Sequence, residues 1–383
     1  NVQHDAPAQL YYQCTSHGGM VGNIYIVGGP QVISGVVTAT TFSGSGASLT
    51  NLPAANLTGT LPAISGANLT GIDSGLSSDS DGNTIGGTNA GDSITTGENN
   101  TTIGKDAGTA ITTGARNTAV GSLALDANTT ADNNTAVGYL SLSENTTGTR
   151  NTAVGAYALD AATTVNDNTA FGYGALTSNT TGVENTAIGS GAMDQNTTGT
   201  DNTAVGWRAL YTNNGNYNTA VGNYASYANT TGAQNVSVGM VALTANTTGG
   251  GNVAVGANAM QTNTTAGNNT AVGASALNAS NAGDNTAIGY QALTANTTGQ
   301  QNVALGSGAL DANTTGDDNV AIGKGSLTDN TTGSNNVAVG LVALGDNTGD
   351  SNTAVGYYAL RLNTTGTENV AVGAYALDAI TTG

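Results

Sequence analysis

The sequence predicts an all-β fold, a β-solenoid or β-roll of eighteen seventeen-residue turns preceded by a thin intertwined β shaft and expected as a homotrimer. Three observations lead there: an internal period across residues 83–383, a composition too poor in large side chains for a compact core, and confinement of every proline to the segment before the array. Charged residues make up 8% and aromatic residues 4%, while 57 of 383 residues are glycine, so backbone ladders and small side chains must hold the fold. Pro7, Pro30, Pro53 and Pro62 all precede the array, as uninterrupted ladder hydrogen bonding requires.

Units begin at the Asn of Asn-Thr-Ala-Val-Gly, from Asn83 to Asn369, with the consensus N-[TV]-A-[VI]-G-x-x-A-L-x-x-N-T-T-G-x-x. Fourteen of the seventeen intervals are seventeen residues; those after Asn202, Asn269 and Asn336 are sixteen. Each short unit loses its residue within the Asn-Thr-Thr-Gly stretch, as at Asn213-Asn214-Gly215, which marks that stretch as the loop. Ala-Val before the glycine and Ala-Leu after it are too short for helices, so each turn is read as two short strands. The position-five glycine (Gly121, Gly138, Gly155) is expected at a corner whose backbone a Cβ would forbid. The position-one asparagine (Asn117, Asn134, Asn151) is expected to form a side-chain ladder from turn to turn. Eighteen turns stacked at roughly 4.8 Å give a rod on the order of 85 Å long.

Successive strand residues point to opposite faces, so Ala at position three and Val or Ile at position four cannot both face the interior. A single chain would then carry an exposed aliphatic stripe including Val120, Val137, Val154 and Ile188, and these are expected to form an oligomer interface, most simply around a three-fold axis. The alternative is a corner that turns Val and Leu inward together.

Residues 1–82 contain no Lys or Arg and do not follow the period. The segments are read as an N-terminal attachment or assembly segment (1–35), a Gly- and Pro-punctuated β shaft (36–82) and the solenoid array (83–383). The chain opens at Asn1 without Met and closes within a repeat, which suggests processing or truncation. Thr-Ala-Thr-Thr-Phe-Ser-Gly over 38–44, and the Ala-Asn-Leu-Thr-Gly segments around Leu57 and Leu69, resemble those of bacteriophage tail fibre proteins, especially marine and cyanobacterial ones. The array resembles repeats of the same broad group and, more distantly, the β-roll heads of trimeric autotransporter adhesins. The resemblance implies a homotrimeric, extracellular or virion-borne fibre that binds a cell-surface glycan or protein receptor, alongside other virion tail or filament proteins. Two departures stand out: the adhesin turn is shorter, and the autocleaving chaperone domain that ends many phage fibres is absent from this sequence.

Six basic against twenty-four acidic residues give a net charge of −18, which disfavours nucleic acid and anionic membranes, and no apolar run is long enough to span a bilayer. Asp126, Asp160, Asp194, Asp311 and Asp378 share the variable position ten and read as solvated surface, so no catalytic, cofactor or metal site is expected. Cys14, His4 and His17 read as incidental, and the six basic residues as dispersed solvated groups. Tyr139, Tyr157, Tyr173, Trp207, Tyr224, Tyr290, Tyr357, Tyr358 and Tyr375 fall at positions six or seven, where they would stack on sugars or seal a subunit interface. Asn145, Asn179, Asn196 and Asn246 open formal glycosylation triplets that serve as plain bends in a bacterium or phage. The expected function is a non-enzymatic structural fibre for adhesion and host recognition. The alternatives are a subunit of a self-assembling bacterial filament and, more remotely, an ice-binding solenoid presenting Thr-Thr rows.

Overall fold

The structure, a computed structural model, describes residues 76–382. The expected attachment segment, the shaft as far as residue 75, and Cys14, His4 and His17 lie outside the described residues. Strand β1 (Ser77–Ser78) pairs antiparallel with β2 (Thr84–Gly86). From β2 through β3 (Thr101–Ile103) to β19 (Val370–Val372), each turn contributes one three-residue strand, paired in parallel with the strand of the next turn. Equivalent positions face each other, Ala119 opposite Ala136 and Val120 opposite Val137. The described residues are therefore all-β, a solenoid with the seventeen-residue period.

The expected second strand does not form. Positions six to eleven instead run with a left-handed residue at positions seven and nine, such as Leu123 (φ 59) and Leu125 (φ 54). Their amides bond in opposite directions: Leu123 N–H donates to the Lys105 carbonyl of the preceding turn, and Leu125 N–H to Ser141 of the following one. A left-handed backbone costs an L-residue about 1–2 kcal/mol. Burial of a leucine returns roughly 1.5–3 kcal/mol, so position nine tolerates the conformation because its side chain is fully buried.

The corner glycine has two separate causes. Gly138 sits at φ +137, and a Cβ there would lie 2.6 Å from the carbonyl carbon of Gly155 in the next turn. Both the backbone conformation and the contact between turns thus exclude a side chain.

The interior is narrow. Ala at positions three and eight and Leu at nine, for example Ala119, Ala124 and Leu125, are completely buried, whereas Val120, Val137 and Val154 remain half-exposed and Ile188 exposed. Alanine rows face inward and valine rows outward, the first of the two arrangements expected, and leucine at position nine shares the interior with alanine. One paired exception occurs: Ser226 replaces leucine at position nine, Ser237 replaces alanine at position three of the next turn, and their hydroxyls bond at 2.9 Å. The apolar interior divides there into two clusters, one reaching Ala225 and the other beginning at Ala242.

The position-one ladder runs without interruption from Asn83 to Asn369. Each asparagine N–H donates to the side-chain oxygen of the asparagine one turn earlier, at 2.8–3.1 Å. The side-chain amide meanwhile donates to the position-fifteen carbonyl of its own turn, as Asn134 does to Gly148 at 2.8 Å. At the first turn, where no preceding asparagine exists, the Asp79 carboxylate accepts from both the Asn83 N–H and its side-chain amide at 2.8 Å.

The Asn-Thr-Thr-Gly stretch, expected as a loop, is a second internal ladder. Asn128, Asn145, Asn179, Asn196 and Asn246 at position twelve are buried, and Asn246 donates to Asn229 Oδ1 at 2.8 Å and to the Gly249 carbonyl at 3.0 Å. Those amides are spent inside the protein, so they present no surface for glycan attachment. Sixteen-residue turns keep the same bond across one residue fewer, as Asn213 donating to Gly215 at 2.8 Å shows. Where the ladder is interrupted, buried atoms are left without partners. Asn145 Oδ1 faces the turn holding Ala162, and Asn263 Oδ1 faces the turn holding Ser280, where Asn269 Nδ2 is also unpartnered.

Asn235→Ala leaves the buried Asn252 N–H unpartnered and removes one of the two amides that donate to the Gly249 carbonyl, Asn246 being the other. At about 1–3 kcal/mol for the orphaned N–H, denaturant unfolding of the variant should show a matching loss of stability. Ala162→Asn and Ser280→Asn restore donors opposite the two orphaned oxygens and should each raise stability by about 1 kcal/mol in the same assay.

Candidate interaction surfaces

Two features face outward in register along the solenoid: the aliphatic row of the strand and clusters of aromatic rings beside the corner. Alternation fixes the first, since Ala inside at position three sends positions two and four outward. Position four continues beyond the expected residues through Phe171, Val272, Ile288, Leu305 and Val355, each more than a third exposed. In later turns valine replaces threonine at position two, as in Val253, Val320 and Val337, and the outer face of the strand becomes apolar at both positions.

Eight of the nine aromatic residues singled out by sequence are brought together in three groups. Tyr139, Tyr157 and Tyr173 meet edge to face, with ring centres 5.5 and 5.8 Å apart. Trp207 meets Tyr224 at 4.7 Å, and Tyr357 packs against Tyr358 and Tyr375 at 4.2 and 5.2 Å. Hydrogen bonding to Tyr375 pushes the Tyr357 phenol up to about 12. Tyr290, 58% exposed, stands outside these groups.

Sequence reasoning missed the partners of these rings. Tyr211 and Tyr227, both at position ten, stack at 5.1 Å, and Tyr227 also meets Tyr224. The Arg208 guanidinium lies 5.0 Å from the Trp207 ring centre and 5.2 Å from that of Tyr211, and Arg361 covers Tyr358. Position ten lies beside position seven of the preceding turn, because the Thr177 hydroxyl donates to the Tyr157 carbonyl at 3.2 Å. The signal was available: aligning position ten across the sixteen-residue interval pairs Tyr211 with Tyr227.

The position-ten carboxylates require a correction. Asp126, Asp160, Asp194, Asp311 and Asp378 are half-buried rather than solvated, because the run of positions six to eleven folds against its neighbours. Burial, foremost, raises the carboxyls of Asp126, Asp160 and Asp311. Of the basic residues, Lys105, Arg116 and Arg150 pair with Asp106, Asp132 and Asp167 at the surface. Between the first two aromatic groups lies a notch of about 340 Å³, floored by Gly174 and Gly191 and closed at its ends by Tyr157 and Tyr173 on one side and Trp207, Arg208 and Tyr211 on the other.

The raised and lowered carboxyls act oppositely on stability. A carboxyl raised in the folded state is destabilised when ionised, so its cost is absent below the unfolded value and grows as pH rises through the folded value. Thermal unfolding should therefore occur at a higher temperature near pH 4 than at neutrality, and the difference should shrink in Asp126→Asn/Asp160→Asn/Asp311→Asn. Asp79 is held below its ordinary value by its bonds from Asn83, so its contribution is full above the unfolded value and is lost as pH falls through the folded one. The protection of the Asn83 amide, measured as its exchange rate relative to an unstructured peptide at the same pH, should fall in acid and, in Asp79→Ala, be low at every pH.

No protein-family model matches the sequence, and no curated protein matches it significantly.

Proposed function

We propose that the chain is a structural fibre subunit, homotrimeric, that spans from a virion or a cell to a target cell surface and supports adhesion. The observation that carries this reading is the aliphatic row at position four. It continues in register from Ile103 to Val372, interrupted only by the aromatic Phe171, and its members remain partly or largely exposed in the single chain. A row this long is covered most simply by copies of itself, and cyclic symmetry lets parallel rods use the same face throughout. A ladder-bonded rod on the order of 85 Å suits a spacer, because each turn is fixed by its neighbours alone.

The tail-fibre resemblance favours attachment to a virion, with a cell-surface glycan or protein as receptor. The ice-binding alternative is weakened, because the position-thirteen threonine hydroxyls commit their protons to the next turn, as Thr247 does to the Thr264 carbonyl at 2.9 Å.

The native mass of the intact chain in dilute buffer tests the proposal. Three copies are expected, and Val137→Lys/Val154→Lys should shift the mass toward one copy. A wild-type protein that sediments as a well-behaved single chain would overturn the trimeric fibre. Electron microscopy should show discrete rods; indefinite polymers would favour the filament subunit instead.

A further inference from the structure

The notch at Gly174 and Gly191 has no backbone explanation. Both glycines occupy position seven at φ +61 and +64, yet other turns hold Leu140, Tyr157, Arg208 and Val241 at that position with φ between 53 and 61. The fold thus accepts large side chains here, and in two consecutive turns it has none. A Cβ on Gly174 would approach nothing closer than the Thr177 hydroxyl at 3.3 Å, and one on Gly191 nothing closer than Arg208 Cγ at 3.3 Å. What the missing side chains leave is an open trough about two turns wide, roughly 10 Å from wall to wall.

The walls and floor differ in chemistry. Aromatic residues line both ends, Tyr157 and Tyr173 at one and Trp207 and Tyr211 at the other, and the lining between them carries Asp194, Thr177 and Ser190. Burial first, and then the nearby Asp194 carboxylate, push the Tyr211 phenol above its ordinary range, which keeps it a neutral donor beside that carboxylate. Arg208 is anchored over two rings. A wholly apolar ligand would strip water from Asp194 without replacing its hydrogen bonds. A phosphate-bearing ligand would meet that carboxylate and a net charge of −18. A pyranose ring offers what the trough lacks, an apolar C–H face for each aromatic wall and a rim of hydroxyls for the floor.

We infer that this notch is a carbohydrate-binding site for a neutral oligosaccharide, with Trp207 and Tyr173 stacking on sugar faces and Asp194 accepting from ring hydroxyls. The site is built by one chain and lies on positions six, seven and ten, away from the position-four row. It deepens the recognition role proposed above, and the two fail separately. Absence of trimers leaves the notch intact, and absence of sugar binding leaves the native mass unchanged.

Trp207 is the sole tryptophan of the chain, so its emission reports on the notch directly. The intact protein should be titrated with a panel of cellotriose, maltotriose, mannotriose and chitotriose. At least one is expected to give a saturable blue shift. Asp194→Asn should weaken that response about tenfold, the equivalent of one charge-assisted hydrogen bond. Gly174→Leu/Gly191→Leu, which installs a residue other turns carry at this position, should abolish the response while circular dichroism stays unchanged. The matching pair eight turns on, Gly308→Leu/Gly325→Leu, should leave it intact. Absence of a saturable change with every trisaccharide overturns the assignment. So does a response that survives filling of the notch, or one lost equally in the distant pair.

Discussion

Hydrogen bonding between equivalent residues of successive turns is the constraint on which everything else rests. A turn of this solenoid has almost nothing to bury against itself, since its interior is two alanines, one leucine and two asparagine side chains. Much of its backbone hydrogen bonding is to the turn above or below, so the position-one asparagine recurs in every turn from Asn83 to Asn369. The asparagine does two tasks that no apolar residue can combine: its oxygen accepts from the next turn, and its amide closes its own turn onto position fifteen. A buried amide left without these partners would cost more than the small hydrocarbon interior returns.

That constraint also explains the unusual backbone. Leucine at φ near 50 is unfavourable in isolation, and the array repeats it in turn after turn. Burial offsets the cost at position nine. At position seven the offset comes from the bond to the preceding turn, which leaves the side chain there free to vary. Positions six, seven and ten consequently carry the chemical variety of the array, from Tyr157 and Trp207 to Gly174 and Gly191, while the rows beneath them stay uniform.

The period, the corner glycine, the position-one ladder and the outward valine were legible in the sequence, because each follows from repetition and from strand alternation. The second strand was not. Ala-Leu after the corner has the composition of a strand, and only the left-handed backbone at positions seven and nine, which leucine seldom adopts, distinguishes the two. Asn-Thr-Thr-Gly likewise has the composition of a loop, and its deletions point the same way. The Asn213-to-Gly215 bond shows that a residue can be lost without losing the buried contact. Among outward residues, aromatic positions six and seven could be read off, but Tyr211, Tyr227 and the notch depend on how position ten folds back against position seven.

The Ser226–Ser237 pair gives the rod a built-in seam. Buried hydrocarbon contact stops on either side of it, so the two halves of the array are joined there by the Ser226–Ser237 hydroxyl bond, the asparagine ladders and the backbone ladder, without a shared apolar interior. Under tension or bending, strain would concentrate at that waist, letting one half yield while the other keeps its shape. Damage confined to a single segment can then anneal from the intact one, which serves as a template for re-forming the ladder.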